Sequence, residues 1–151
     1  MSAVPGDPDP DDPGPGDSHN GDAGPRHQAR ERALGLLYEA EAKHLDPAAL
    51  VDDLPVAPDP YAERLVRGVA RLGERIDGLL AGSAVGWELA RMPAVDRAVL
   101  RMAVFELLDE LDVPVAVVID EAVELVKQYS TDDSGRFVNG VLSTIAAEVR
   151  A

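Results

Sequence analysis

The sequence predicts an all-α protein: a bundle of six or seven helices in two packed halves, preceded by a disordered acidic N-terminal tail. Three observations carry that expectation. Apolar residues recur at helical spacing along almost the whole chain beyond residue 25, and no segment alternates like a half-buried strand. The connections are short and punctuated by proline, glycine and aspartate. In residues 94–108, eleven of fifteen positions are apolar and spread around the helix axis, as in a central helix covered on most sides.

The elements follow in order. Residues 1–24 contain Asp7, Asp9, Asp11, Asp12, Asp17 and Asp22, no lysine or arginine, and otherwise many prolines and glycines. Such a stretch cannot bury enough apolar surface to offset the entropy of ordering. The helical domain then spans residues 25–151. Pro25 suits the first turn of a helix that runs to about residue 44. Residues 47–54 add a short helix, and Pro55-Val-Ala-Pro-Asp-Pro60 reads as a linker. Residues 61–80 form a second long helix with Leu65, Val69, Leu72, Ile76 and Leu79 on one side. Residues 82–86 break it, and 87–92 give a short helical turn. Pro93 opens the central helix, to about residue 111, and Asp112-Val-Pro114 starts the next, which ends near residue 129. Asp133 and Ser134 are placed to cap the last, running to about residue 149.

Composition narrows the function. The 151-residue chain has a net charge of −14, and removing the six tail aspartates leaves −8. A globally basic nucleic-acid binder is therefore excluded, and any RNA contact has to be local. There is no cysteine, hence no disulfide or thiolate metal site. With no signal peptide and no run near the ~18 apolar residues of a membrane span, a cytoplasmic protein without a membrane segment is expected. No histidine has an evident triad partner, and Gly14-Pro-Gly16 has no preceding strand to make a phosphate loop. Asp7, Asp9 and Asp11 imitate a calcium loop but lack its glycine and final glutamate. The expectation is a non-enzyme with no catalytic residue, metal or cofactor.

Two segments carry positive charge that helix physics does not call for. Arg26, His27 and Arg30 open the first helix, where exposed cations oppose the macrodipole at about 0.3–1 kcal/mol each. Their first turns are expected to project beyond the bundle, as an RNA-contacting head or as a solvated helix end. In the last helix, Phe137 lies at the margin of the apolar stripe, with Gly140 and then Arg136 on its outer side. That group is either a stacking platform for an unstacked base, or an edge phenylalanine with Gly140 permitting close helix packing. Arg64, Arg67, Arg71 and Arg75 share one face of the second long helix, which is either solvated or an accessory phosphate track.

Four blocks then carry a resemblance: Arg26-His-Gln-Ala-Arg-Glu-Arg-Ala-Leu-Gly-Leu-Leu-Tyr38, Pro93-Ala-Val-Asp-Arg-Ala-Val-Leu-Arg101, Val113-Pro-Val-Ala-Val-Val-Ile-Asp-Glu-Ala-Val-Glu-Leu125 and Asp133-Ser-Gly-Arg-Phe-Val-Asn-Gly-Val-Leu142. In this order they resemble the bacterial transcription antitermination protein NusB family, over residues 26–149. The resemblance implies an all-helical protein that binds the boxA element of nascent ribosomal RNA. It also implies a small-subunit ribosomal protein partner, NusE, and a place in an RNA polymerase antitermination complex. In some relatives it implies a homodimer that covers the RNA surface. By position, Arg26, His27 and Arg30 match the family's arginine-rich RNA-binding head. Arg136 and Phe137 match the RNA-proximal start of the last helix, and Tyr38 and Asp96 match positions facing the ribosomal protein. The head departs from the pattern, with His27 and Gln28 where relatives often carry consecutive arginines. The rival expectation is a non-catalytic helical protein-interaction module with little RNA affinity of its own. If the head projects, Arg30 is exposed, its truncation leaves thermal stability near wild type, and Arg30 and Phe137 share one positive rim.

Overall fold

The computed structural model describes residues 23–83 and 88–151. Among them are seven α-helices and no strand: α1 Ala23–Ala42, α2 Pro47–Asp52, α3 Pro60–Arg71, α4 Gly73–Ser83, α5 Ala94–Asp109, α6 Val115–Tyr129 and α7 Asp132–Val149, with a 3-10 turn at Leu89–Arg91. The expected tail, apart from residues 23 and 24, lies outside the described residues, as does Trp87.

Local chemistry explains most boundaries. Beyond α1 the chain turns at His44, whose φ of 57° is left-handed, and the Leu45 N–H donates to the Ala40 carbonyl at 2.8 Å. Asp46 and Asp59 cap α2 and α3 by accepting backbone N–H bonds from Ala49 and from Tyr61 and Ala62, and each is followed by a proline in the first turn. The single helix expected over residues 61–80 is two. At Leu72 the backbone leaves helical values (φ −102°, ψ 16°), and α4 restarts at Gly73. Both pieces pack on α5, burying Leu65 and Val69 from α3 and Ile76 and Leu80 from α4. The expected cap of the last helix also moves. Thr131 has extended backbone and accepts the Ser134 N–H at 3.0 Å, whereas Ser134 is buried and turned inward.

The central helix is α5. It packs against α1, α3, α4, α6 and α7, and every residue from Ala98 to Leu107 except Arg101 is buried. Gly68 marks its closest approach to α3, since a Cβ there would lie 2.1 Å from the Phe105 ring. Two arginines tie the bundle together. Arg97 bonds Glu41 of α1 and the carbonyls of Leu89 and Met92, and its hydrogen bond holds the Glu41 carboxyl below its ordinary range. At the other end Arg150 donates to the carbonyls of Glu106, Leu107, Glu110 and Val113 at 2.7–3.0 Å. These include carbonyls that the C-terminus of α5 leaves without helical partners, so the chain end is clasped over the α5–α6 turn.

Candidate nucleic-acid interface

Arg30, expected in an exposed head, lies inside the bundle. It does not project from the bundle; it is 1% exposed. Its Nε donates to Glu106 Oε1 at 3.0 Å and its Nη2 to Oε2 at 2.8 Å, while the Tyr61 hydroxyl donates to the same Oε2 at 2.6 Å. Burial works against the guanidinium charge, but the hydrogen bonds and field of Glu106 outweigh it and raise the pKa. Burial and the Glu106 carboxylate likewise push the Tyr61 phenol upward. Arg30 shares its face with Ala33 and Leu37, and that face stays covered to the first turns of α1, by Tyr61 of α3 and Glu106 of α5. Arg30 is therefore not available to a phosphate.

The rest of the head is also engaged. Arg26, with a side chain 38% exposed, lies 3.4 Å from Asp112 and stacks 4.8 Å from the Tyr61 ring centroid. His27 Nδ1 is 2.7 Å from Glu121 Oε1, and its other ring nitrogen is 3.8 Å from Glu31. Three arginines of α3 are paired in the same way: Arg64 to Glu110, Arg67 to Asp52 and Glu63, Arg71 to Asp109. That face is neutralised rather than an open phosphate track.

A different kind of site sits where α7 begins. A pocket of about 290 Å³ is lined by Met92, Pro93, Asp96, Thr131, Asp133, Ser134 and Phe137. Ser134 Oγ donates to Asp96 Oδ2 at 2.7 Å, and the buried Asp96 Oδ1 has no hydrogen-bond partner among the described residues. Asp96, expected on a partner-facing surface, is thus 3% exposed and lines this pocket. A buried oxygen left unsatisfied costs about 1–3 kcal/mol, which an incoming donor would recover. Phe137 is half-buried against the core and lines the same pocket. A Cβ at Gly140 would meet nothing within 4 Å, so Gly140 does not serve close helix packing. Arg136 is exposed and, among the described residues, paired only with the exposed Asp133. Tyr38, 48% exposed, borders a separate groove of about 230 Å³ with Leu45, Glu41 and Arg101.

The structure does not merge the head and the α7 pocket into one rim. Their anchors on α5, Glu106 and Asp96, are ten residues and so about 15 Å apart along the helix. The signal that sequence reasoning missed was the acids inside α5. Glu106 lies within its most apolar stretch, and an acid there demands a buried partner.

A profile described as the NusB family matches residues 27–147. The chain is a member of the NusB family. It is 55% identical over 129 residues to the transcription antitermination protein NusB of Saccharopolyspora erythraea, covering 82% of this chain and 87% of that one. The fold is similar to T. maritima NusB, with a TM-score of 0.73 at 38% identity over 82% of this chain and 91% of that one. It is also similar to a chain in a structure of the antitermination factors NusB and NusE in complex with dsRNA, with a TM-score of 0.67 at 30% identity over 82% and 96% of the two chains. Among the described residues of this NusB-family chain, no helix is long and apolar enough to cross a membrane.

Proposed function

We propose that this chain is a cytoplasmic, non-catalytic transcription antitermination factor that binds boxA RNA jointly with NusE and passes into the RNA polymerase antitermination complex. The observation that carries the RNA part is the α7 pocket, lined both by the Phe137 ring and by Asp96, whose buried Oδ1 has no donor among the described residues. An extruded base meets both needs: its ring stacks on Phe137, and an amino or imino N–H donates to Asp96 Oδ1. Asp132 and Asp133 in the first turn of α7 repel phosphate, which favours entry by the base rather than by the backbone. The half-exposed Tyr38 ring and its groove offer NusE an amphipathic contact of the kind enriched in protein interfaces. With Arg26 and His27 already engaged and Arg30 buried, RNA affinity without NusE is low.

Fluorescence anisotropy of labelled boxA RNA, titrated with salt with and without NusE, tests this. Weak binding alone, strengthened at least about tenfold by NusE (about 1.4 kcal/mol), is expected. Phe137→Ala should remove most of that gain, because stacking on one aromatic contributes about 1–3 kcal/mol per base. No RNA-dependent signal under either condition would favour the protein-interaction module instead.

A further inference from the structure

Resting on the RNA reading above, we propose that the groove between α6 and α7 formed by Lys127, Gly135, Arg136 and Asn139 holds a phosphate of the strand whose base enters the Phe137 pocket. All 14 lysines and arginines lie among the described residues. Ten are ion-paired to carboxylates and Arg150 is bonded to backbone carbonyls. Arg32, Arg75 and Lys127 form no ion pair among the described residues. A phosphate that recruits a paired arginine must displace a carboxylate. At Lys127 it displaces only water and counterions.

Position separates Lys127 from the other two. It lies in the last turn of α6 and borders a groove of about 380 Å³ that Arg136, Asn139 and Asp132 also line. Gly135 permits this arrangement. A Cβ there would come within 3.1 Å of Lys127 Cγ and 3.3 Å of its Cδ, so the lysine stem rests on the glycine while the residue stays exposed. Arg136 adds a second cation. Its bond to Asp133 is an exposed surface pair, of a kind worth about 0–1 kcal/mol, and is readily exchanged for phosphate. The Asn139 side-chain oxygen accepts from Ser143, which leaves its amide nitrogen as a donor. Asp132 repels phosphate from its side and confines the contact to Lys127 and Arg136.

The groove and the pocket flank the same turns of α7. Asp133 and Phe137 line the pocket, and Asp132, Arg136 and Asn139 line the groove. A helix with its side chains is about 10–12 Å across, a distance that a few nucleotides of a single strand span. One backbone contact beside one base contact is what a weakly basic protein can supply, and it fixes the direction of the strand over α7.

The test is Lys127→Gln in the full chain, measured with NusE and single-stranded boxA RNA between roughly 50 and 200 mM salt. Loss of one phosphate contact is expected to flatten the log–log salt slope by about 0.7. Affinity should fall several-fold at low salt, by the same factor for boxA and for a scrambled RNA of equal length. Lys127→Arg should restore the slope, and Arg75→Gln, away from the groove on α4, should leave it unchanged. The melting temperature of Lys127→Gln should match wild type. A wild-type slope in Lys127→Gln, in a system where wild type binds RNA, overturns the groove and leaves the pocket standing. Absence of RNA binding by wild type itself removes the RNA reading and the groove with it.

Discussion

Replacing Arg30 with methionine is expected to destabilise the protein by about 3–5 kcal/mol. The cause is the group left behind. Glu106 is 1% exposed and would keep only the Tyr61 hydroxyl as a hydrogen-bond donor from its present set. A buried carboxylate so deprived stays charged at high cost or takes up a proton. Urea denaturation should show a lower midpoint at an unchanged m-value. Removing both charges, in Arg30→Met with Glu106→Leu, should recover much of the loss, because a buried ion pair contributes little net stability over apolar residues of similar volume. Near-wild-type stability in Arg30→Met together with weakened RNA binding would return Arg30 to the surface.

The second large effect is steric. At Gly68 a Cβ would sit 2.1 Å from Phe105 Cε1 and 2.4 Å from Cδ1 and Cζ, so the Phe105 ring, 2% exposed, would have to shift. Gly68→Val should cost about 3 kcal/mol or more through forced separation of α3 and α5. Gly68→Ala should cost less, about 2 kcal/mol, because replacing a mid-helix glycine by alanine returns about 1 kcal/mol of helix propensity. Adding Phe105→Leu to Gly68→Ala should recover part of the loss by making room. A change under about 0.5 kcal/mol in Gly68→Val, by the same denaturation measurement, would contradict the packing described.

Much of the architecture was legible because burial leaves a periodic trace. The apolar surplus of residues 94–108 correctly marked α5 as the helix that five others cover. The break at Leu72 was hidden because the apolar face continues in register on both sides of it, from Leu65 and Val69 to Ile76. Arg30 was misplaced for a related reason. A helical wheel says which residues share a face but not what covers that face, and Arg30 and Glu106 meet across 76 residues of sequence. The two acids of α5's apolar stretch, Asp96 and Glu106, are both buried, each held by a group far along the chain, Ser134 and Arg30. At the α7 end, Phe137 is half-buried at the margin of the apolar stripe, as its spacing indicated. The pocket beneath it depended on a side chain from another helix, and no periodicity within α7 contains that.

The central claim is that RNA is taken at the first turns of α7 rather than by the arginines of α1. Photo-crosslinking tests it most directly, using boxA RNA substituted with 4-thiouridine, in complex with this chain and NusE, followed by sequencing of the modified peptides. Adducts are predicted on Phe137 and its neighbours within residues 131–139. Adducts concentrated on Arg26 and His27, with none in residues 131–139, would contradict it.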